Sequence, residues 1–208
     1  SLSAGGVSEM LATAEEGRAV DLRPGLDFTA YETGFNRVKD LIAAGDTYQV
    51  NLTMKAGFRL KGDPLGLYRT LAQSQPVAYG AYIDAGDHLV LSRSPELFVS
   101  GAGNLLKARP MKGTLRRGRT AAEDDAGRLV LANDEKNRAE NLMIVDLLRN
   151  DLGRIAEIGS VEVTDLFTVE TYRSLHTMTS GITAQKKPEA GIADVLENLF
   201  PCGSITGA

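Results

Sequence analysis

The sequence predicts an α+β fold, in which short strands follow one another and a few helices interrupt them, rather than a regular alternation of strand and helix. Three observations support this fold class. Helical and strand periodicities both occur, strand-like runs cluster in the middle of the chain, and 22 glycines against 7 prolines suit many turns. The 208 residues, 43% hydrophobic and 24% charged, are enough for one soluble domain with a sizeable core, or for part of a larger one.

The charge and cysteine content exclude several classes of protein. The net charge of −4 gives no broad basic surface, so we expect no nucleic-acid partner. The single Cys202 excludes an intramolecular disulfide and fits a reducing cytoplasm. No apolar run approaches the roughly 20 residues that span a bilayer, and the first residues do not resemble a signal peptide. We therefore expect a cytoplasmic protein without a membrane partner.

The first half of the chain predicts two helices and a strand. Apolar residues recur at helical spacing over 28–44, and Gly45 ends the run. Residues 48–54 alternate between apolar and polar side chains, which predicts a strand. Residues 64–73 predict a short helix with proline in its first turn.

The second half begins with a strand meander over 77–114, with hairpin turns at 85–87 and 101–104. The polar segment 114–126 predicts a mobile loop. An apolar stripe predicts a long helix over 133–152. The remaining predicted elements are strands near 160–163 and 175–182 and a helix over 188–199.

Glu96 and Lys112 are the first candidates for chemistry. Glu96 follows Pro95 at the start of a predicted strand, and Lys112 lies sixteen residues later, across one hairpin. Strands joined by a hairpin lie side by side, so the two side chains can meet. A neutral lysine is a nucleophile, and a nearby carboxylic acid is a proton donor. On spacing alone, however, the pattern favours a cross-strand surface ion pair.

Two further segments carry polar groups that could bind ligands. Glu140, on the predicted long helix, is of the type that binds Mg²⁺, which uses one or two carboxylates and keeps several waters. On spacing alone, a solvated helix face with a Lys136–Glu140 pair explains it better. The turn 203–207 offers backbone N–H groups and two hydroxyls for a carboxylate or phosphate. It lacks the lysine of a phosphate-binding loop, and a plain turn is the alternative.

Taken together and in order, five segments resemble the motifs of the chorismate-utilising enzymes. They are GDTYQVNL at 45–52, SPELF at 94–98, RPMKGT at 109–114, NRAENLMIVDLLRNDLGR at 137–154 and GSITGA at 203–208. The resemblance covers nearly everything after about residue 28, and the end of the fourth segment is its most specific part.

The resemblance implies two large β-sheets packed face to face, with helices outside. It also implies later strands, another arginine for the substrate and another Mg²⁺-binding glutamate beyond these motifs. We therefore expect residues 1–27 to be an N-terminal remnant or linker. Residues 28–208 are expected to be part of a chorismate-binding catalytic domain, truncated at the C-terminus. Such a piece should expose sheet edges and apolar faces, and should be poorly active or inactive alone.

The resemblance also implies an activity. Members that activate water carry a lysine where this chain has Gln49, so Gln49 implies ammonia as the nucleophile, supplied by a glutamine amidotransferase partner. Lys112 implies amination of chorismate at C4 through a covalent lysine intermediate, with Glu96 protonating the departing hydroxyl. Two alternatives stay open: an anthranilate synthase component I, which typically has alanine in place of Lys112, and an inactive fragment that retains only binding.

The remaining site residues are also carried over from the family. Mg²⁺ is the implied cofactor, bound in part by Glu140. The residues implied to line the substrate site are Gln49, Gly113, Thr114, Gly203, Ser204, Ile205 and Thr206. Two departures stand out. Thr177 replaces a histidine that contacts the substrate in many members, and Cys202 replaces a glycine, where we expect a small filler.

Overall fold

A computed structural model describes residues 4–207 of the chain, and side chains from residue 6 onward. These residues form two compact units, one reaching Lys39 and including Leu52–Pro95, the other made of Asp40–Asn51 and the residues from Glu96 onward. Residues 1–3, in the expected N-terminal remnant, and Ala208, in the last motif, lie outside the described residues. Within the described chain, no helix is long and apolar enough to cross a membrane.

The first unit contains three helices, one of which ends in the second unit, and two antiparallel strand pairs. Its elements are α1 (Ala4–Thr13), β1 (Gly17–Pro24), α2 (Phe28–Ala44), β2 (Ala56–Gly62), α3 (Pro64–Ser74), β3 (Tyr79–Asp84) and β4 (Leu89–Ser94). β1 pairs with β2, and β3 pairs with β4. α3 begins where predicted, because the Asp63 side chain accepts the N–H of Leu65 and Pro64 occupies the first turn. The expected linker 1–27 thus contains, in its described part, a helix and a paired strand.

The second unit contains a five-stranded antiparallel sheet built around one long strand. Its strands are β5 (Leu97–Ala102), β6 (Leu105–Arg109), β7 (Met111–Arg116), β8 (Glu162–Thr171) and β9 (Leu175–Gln185). β8 follows one edge of β9, while β6 and β7 pair with successive stretches of the other edge. Pro110 separates β6 from β7, because proline has no N–H to donate to the sheet. The predicted α+β class is confirmed.

Helices cover one face of this sheet. They are α4 (Ala121–Asn133), α5 (Glu135–Ile155), α6 (Ile192–Leu199) and the single turn α7 (Gly203–Thr206). The predicted long helix is confirmed as α5, which buries Ile144, Leu148 and Leu152 against sheet residues such as Ile182. Asn141 is also fully buried, and its amide donates to the Met178 carbonyl, which fixes the helix on β9.

Three predictions are corrected. Residues 48–54 form no strand, only an isolated bridge between Val50 and Gly207. Segment 114–126 is not a loop: β7 runs to Arg116 and α4 begins at Ala121, where the Thr120 hydroxyl accepts the N–H of Glu123. The last long helix begins at residue 192 rather than 188. The predicted hairpin turns and the helices over 28–44 and 64–73 are confirmed.

Candidate active site

Glu96 and Lys112 lie close enough in the second unit for their charges to interact. β5 and β6 form a hairpin in which Leu97 pairs with Arg109, so the residue before Leu97 lies beside the chain that continues past Pro110. The Glu96 carboxylate accepts hydrogen bonds from the Met111 N–H and the Ser204 side chain, and the charge of Lys112 acts on it. Burial raises the pKa of Glu96 above its ordinary value, and these three contacts oppose that rise without cancelling it.

The backbone around Gly113 is tightly enclosed. Gly113 has a φ of +85°, and a Cβ there would lie 2.9 Å from the Cβ of Asn137 on α5. Its carbonyl accepts a hydrogen bond of 3.0 Å from the hydroxyl of Thr177, which is almost fully buried. Thr114 pairs with Thr177 across β7 and β9. Thr177, the residue in place of the family's histidine, therefore holds the segment that carries Lys112.

The 203–207 segment lies next to Glu96 through Ser204. A Cβ on Gly203 would clash with Leu147 of α5, so glycine allows α7 to approach this helix. Ser204 is buried and reaches Glu96. The side chain of Ile205 is 58% exposed, so only its backbone is held, and the Thr206 hydroxyl bonds back to the Cys202 carbonyl.

Asn51 is a residue that sequence reasoning placed in a motif but did not select. Its amide donates to the carbonyls of Ser204 (3.2 Å) and Ile205 (2.8 Å), and its backbone N–H donates to Thr206 (3.0 Å). These bonds fix the turn against the 47–51 segment. The alternation of polar side chains in 48–54 was the available signal, but it suggested a strand edge instead.

Gln49 lies in the same segment, and its side-chain oxygen accepts no hydrogen bond from the described residues. Its Oε1 is buried and has no hydrogen-bond partner within residues 4–207. The backbone of Gln49 lies against Gly207, where a Cβ would come within 2.1 Å of the Gln49 carbonyl oxygen. A buried acceptor without a donor costs free energy, so this position is suited to a bound group that donates.

Glu140 stands apart from the Glu96–Ser204 contact, on α5. It lies one turn after Asn137, which packs against Gly113, and its side chain is 34% exposed. Among the described residues, it forms one ion pair, a 3.9 Å contact with the exposed Lys136. The carboxylate is thus accessible to a hard cation and fits one of the one or two carboxylates that Mg²⁺ uses. No group of three metal-binding side chains occurs among the described residues.

The fold and this arrangement of motifs define the class of protein. The chain matches the family of chorismate binding enzymes over residues 3–208, and it belongs to that family.

Its relatives are more specific. Aminodeoxychorismate synthase component 1 of Bacillus subtilis is 40% identical over 181 residues, which cover 85% of this chain and 38% of that protein. The protein of the same name from Escherichia coli is 42% identical over 178 residues, covering 86% and 39%. The chain thus spans about two-fifths of these relatives. Anthranilate synthase component I from Streptococcus pneumoniae superposes with a TM-score of 0.82 at 34% identity, covering 92% of this chain and 42% of that one.

Proposed function

We propose that this chain is the catalytic part of an aminodeoxychorismate synthase component I, which converts chorismate and ammonia to 4-amino-4-deoxychorismate for p-aminobenzoate and folate synthesis. The observation that carries the proposal is that Lys112 is close enough to the half-buried Glu96 for its charge to act on that carboxylate. The relatives that bear this name, at 40–42% identity, support it.

In the first step, the neutral amine of Lys112 attacks C2 of chorismate. A C2–N bond forms, the ring double bonds shift, and the C4–O bond breaks. Hydroxide is a poor leaving group, so Glu96 donates its proton and water departs. Covalent catalysis divides one difficult displacement into two easier ones. The raised pKa of Glu96 supports this role, because more of the carboxyl is protonated near neutral pH.

In the second step, ammonia attacks C4, the double bonds shift back, and the C2–N bond breaks to release the Lys112 amine. The new ammonium group returns one proton to Glu96, so water is the only other product. The Oε1 of Gln49 is buried and has no hydrogen-bond partner among residues 4–207, so it leaves an acceptor for an N–H of ammonia.

Mg²⁺ is part of the proposal, with Glu140 supplying one carboxylate ligand. When bound, it would offset the negative charge of the substrate's ring carboxylate. A glutamine amidotransferase is the proposed source of ammonia, since the relatives are named as component 1 of their enzyme. We place the reaction in the cytoplasm, where Cys202 stays a free thiol.

The test uses the full-length protein with chorismate, Mg²⁺ and ammonium, and identifies the product by mass spectrometry. Wild type should form 4-amino-4-deoxychorismate, and Lys112→Ala should lose most of this activity. The matched control is Lys107→Ala, which removes an exposed lysine from the neighbouring strand β6 and should leave activity unchanged. Without ammonium, wild type should carry an adduct of chorismate minus water on Lys112.

Other outcomes would overturn the proposal. Anthranilate, recognised by its fluorescence, forms only with loss of pyruvate and would assign the chain to anthranilate synthases. Full activity of Lys112→Ala would remove the covalent step. Chorismate binding without any product would leave only a binding function.

A further inference from the structure

Cys202 lies at the start of a hydrogen-bonded series of side chains that passes through Ser204 and ends at the half-buried Glu96. Its Sγ is 3.2 Å from the Ser204 Oγ, and Ser204 is hydrogen-bonded to the Glu96 carboxylate. Cys202 is 8% exposed and Ser204 is 6% exposed. The thiol and the hydroxyl are therefore largely withdrawn from water, so each depends on hydrogen-bond partners within the protein.

The direction of these bonds follows from the number of protons available. An ionised carboxylate only accepts hydrogen bonds, and a serine hydroxyl has one proton and two lone pairs. The Ser204 hydroxyl therefore donates its one hydrogen bond to Glu96. It can only accept a hydrogen bond from Cys202. A thiol is a weak donor, but it is the group that remains to donate.

When Glu96 is protonated for catalysis, its C=O oxygen is still an acceptor, so the same direction of hydrogen bonds is available. Ser204 then donates to one carboxyl oxygen and keeps that oxygen an acceptor, so the acidic proton stays on the other oxygen. A hydroxyl without the thiol rotates more freely and holds the carboxyl less well.

The backbone fixes the thiol in this position. The Cys202 carbonyl accepts the N–H groups of Ile205 (2.9 Å) and Thr206 (3.2 Å), which closes the turn of α7. This turn places the side chains at positions 202 and 204 side by side. The contact between Sγ and Oγ thus lies within a hydrogen-bonded turn.

We propose that Cys202 is a positioning residue for the general acid, whose S–H donates to Ser204 and directs the Ser204 hydroxyl onto Glu96. The kinetic part of this inference rests on the proposed function, whereas the hydrogen-bonded chain itself does not. Cys202 touches no reacting atom and acts only through Ser204.

The first experiment needs no activity. The S–H stretching band of Cys202 is isolated as the infrared difference between full-length wild type and Cys202→Ala. A donating S–H absorbs at lower frequency than a free one, so Ser204→Ala should shift the band upward. A band at the same frequency in wild type and Ser204→Ala would overturn the proposal.

The second experiment measures turnover with the full-length protein. Cys202→Ala should lower kcat about two- to fivefold with little change in KM, the size expected for one weak hydrogen bond. Cys202→Ser keeps a donor and should restore most of the rate. Thermal midpoints of both variants exclude unfolding as the cause. Equal rates for the alanine and serine variants would overturn the positioning role.

The two experiments separate the two hypotheses. If the product is not 4-amino-4-deoxychorismate but the band shifts, the proposed function fails and the hydrogen-bonded chain stands. If the product forms but the band does not shift, the inference about Cys202 fails alone.

Discussion

Replacing Gly113 by alanine tests the backbone on which the proposed nucleophile is placed. Gly113 has a φ of +85°, a region that costs a residue with a Cβ about 1–2 kcal/mol. Its new Cβ would also lie 2.9 Å from the Cβ and the Oδ1 of Asn137, where overpacking costs about 1–3 kcal/mol. We therefore expect Gly113→Ala to lower the free energy of unfolding by about 2–5 kcal/mol.

Two other glycines separate these contributions. Gly103 has a φ of +60° and nothing within 4 Å of a built Cβ, so Gly103→Ala should cost only the backbone part, about 1–2 kcal/mol. Gly153 lies within α5, again with nothing within 4 Å, so Gly153→Ala should stabilise by about 0.5–1 kcal/mol.

The assay is urea unfolding monitored by circular dichroism. The slope of the unfolding free energy against urea concentration is compared between variants. The expected order of stability is Gly153→Ala, wild type, Gly103→Ala, Gly113→Ala. If Gly113→Ala costs no more than Gly103→Ala, the contact with Asn137 does not constrain the site, and this reasoning is refuted.

Two further predictions concern α4 and the core. Hydrogen bonds from Arg117, with others from a backbone N–H and the buried His176, hold the pKa of Asp124 well below its ordinary value. A lowered carboxyl pKa stabilises above the unfolded value of about 3.9, and that stability is lost as pH falls through the folded value. The stability gap between wild type and Asp124→Asn in pH-dependent denaturation should therefore be constant near neutrality and narrow below about pH 4; a gap independent of pH would contradict this. Leu148 is 1% exposed, so Leu148→Ala should lower the free energy of unfolding by about 2–5 kcal/mol in the same assay. Leu129 is 66% exposed, so Leu129→Ala should change it by less than about 0.5 kcal/mol. Equal effects of the two leucine substitutions would contradict the assigned core.

Local signals determined the elements whose causes are local. α2 and α5 follow from apolar spacing, and α3 from Asp63 and Pro64 at its start. The hairpin between β5 and β6 follows from its glycine turn, and its register places Glu96 beside the segment of Lys112. Residues close in sequence have few alternative arrangements, so this proximity could be predicted before the fold was known.

Segment 114–126 shows where a local reading failed. Its polarity suggested a loop, yet the Thr120 cap starts α4. The Arg117 guanidinium then binds Asp124, and Asp124 binds the buried His176 of β9. Arg117 and Asp124, two of the charges that suggested exposure to solvent, are paired with each other, and the partner of Asp124 on β9 is 52 residues away.

The sequence by itself determined the fold class, the motifs and the hairpin that brings Glu96 near the segment of Lys112. Only the tertiary structure decided that 48–54 forms no strand, because Asn51 there bonds to carbonyls about 154 residues later rather than to a neighbouring strand. It also decided that Ser204 hydrogen-bonds to Glu96 and that Cys202 contacts Ser204. Such contacts depend on how α5 packs on the sheet and brings α7 with it, and no periodicity within a segment specifies that packing.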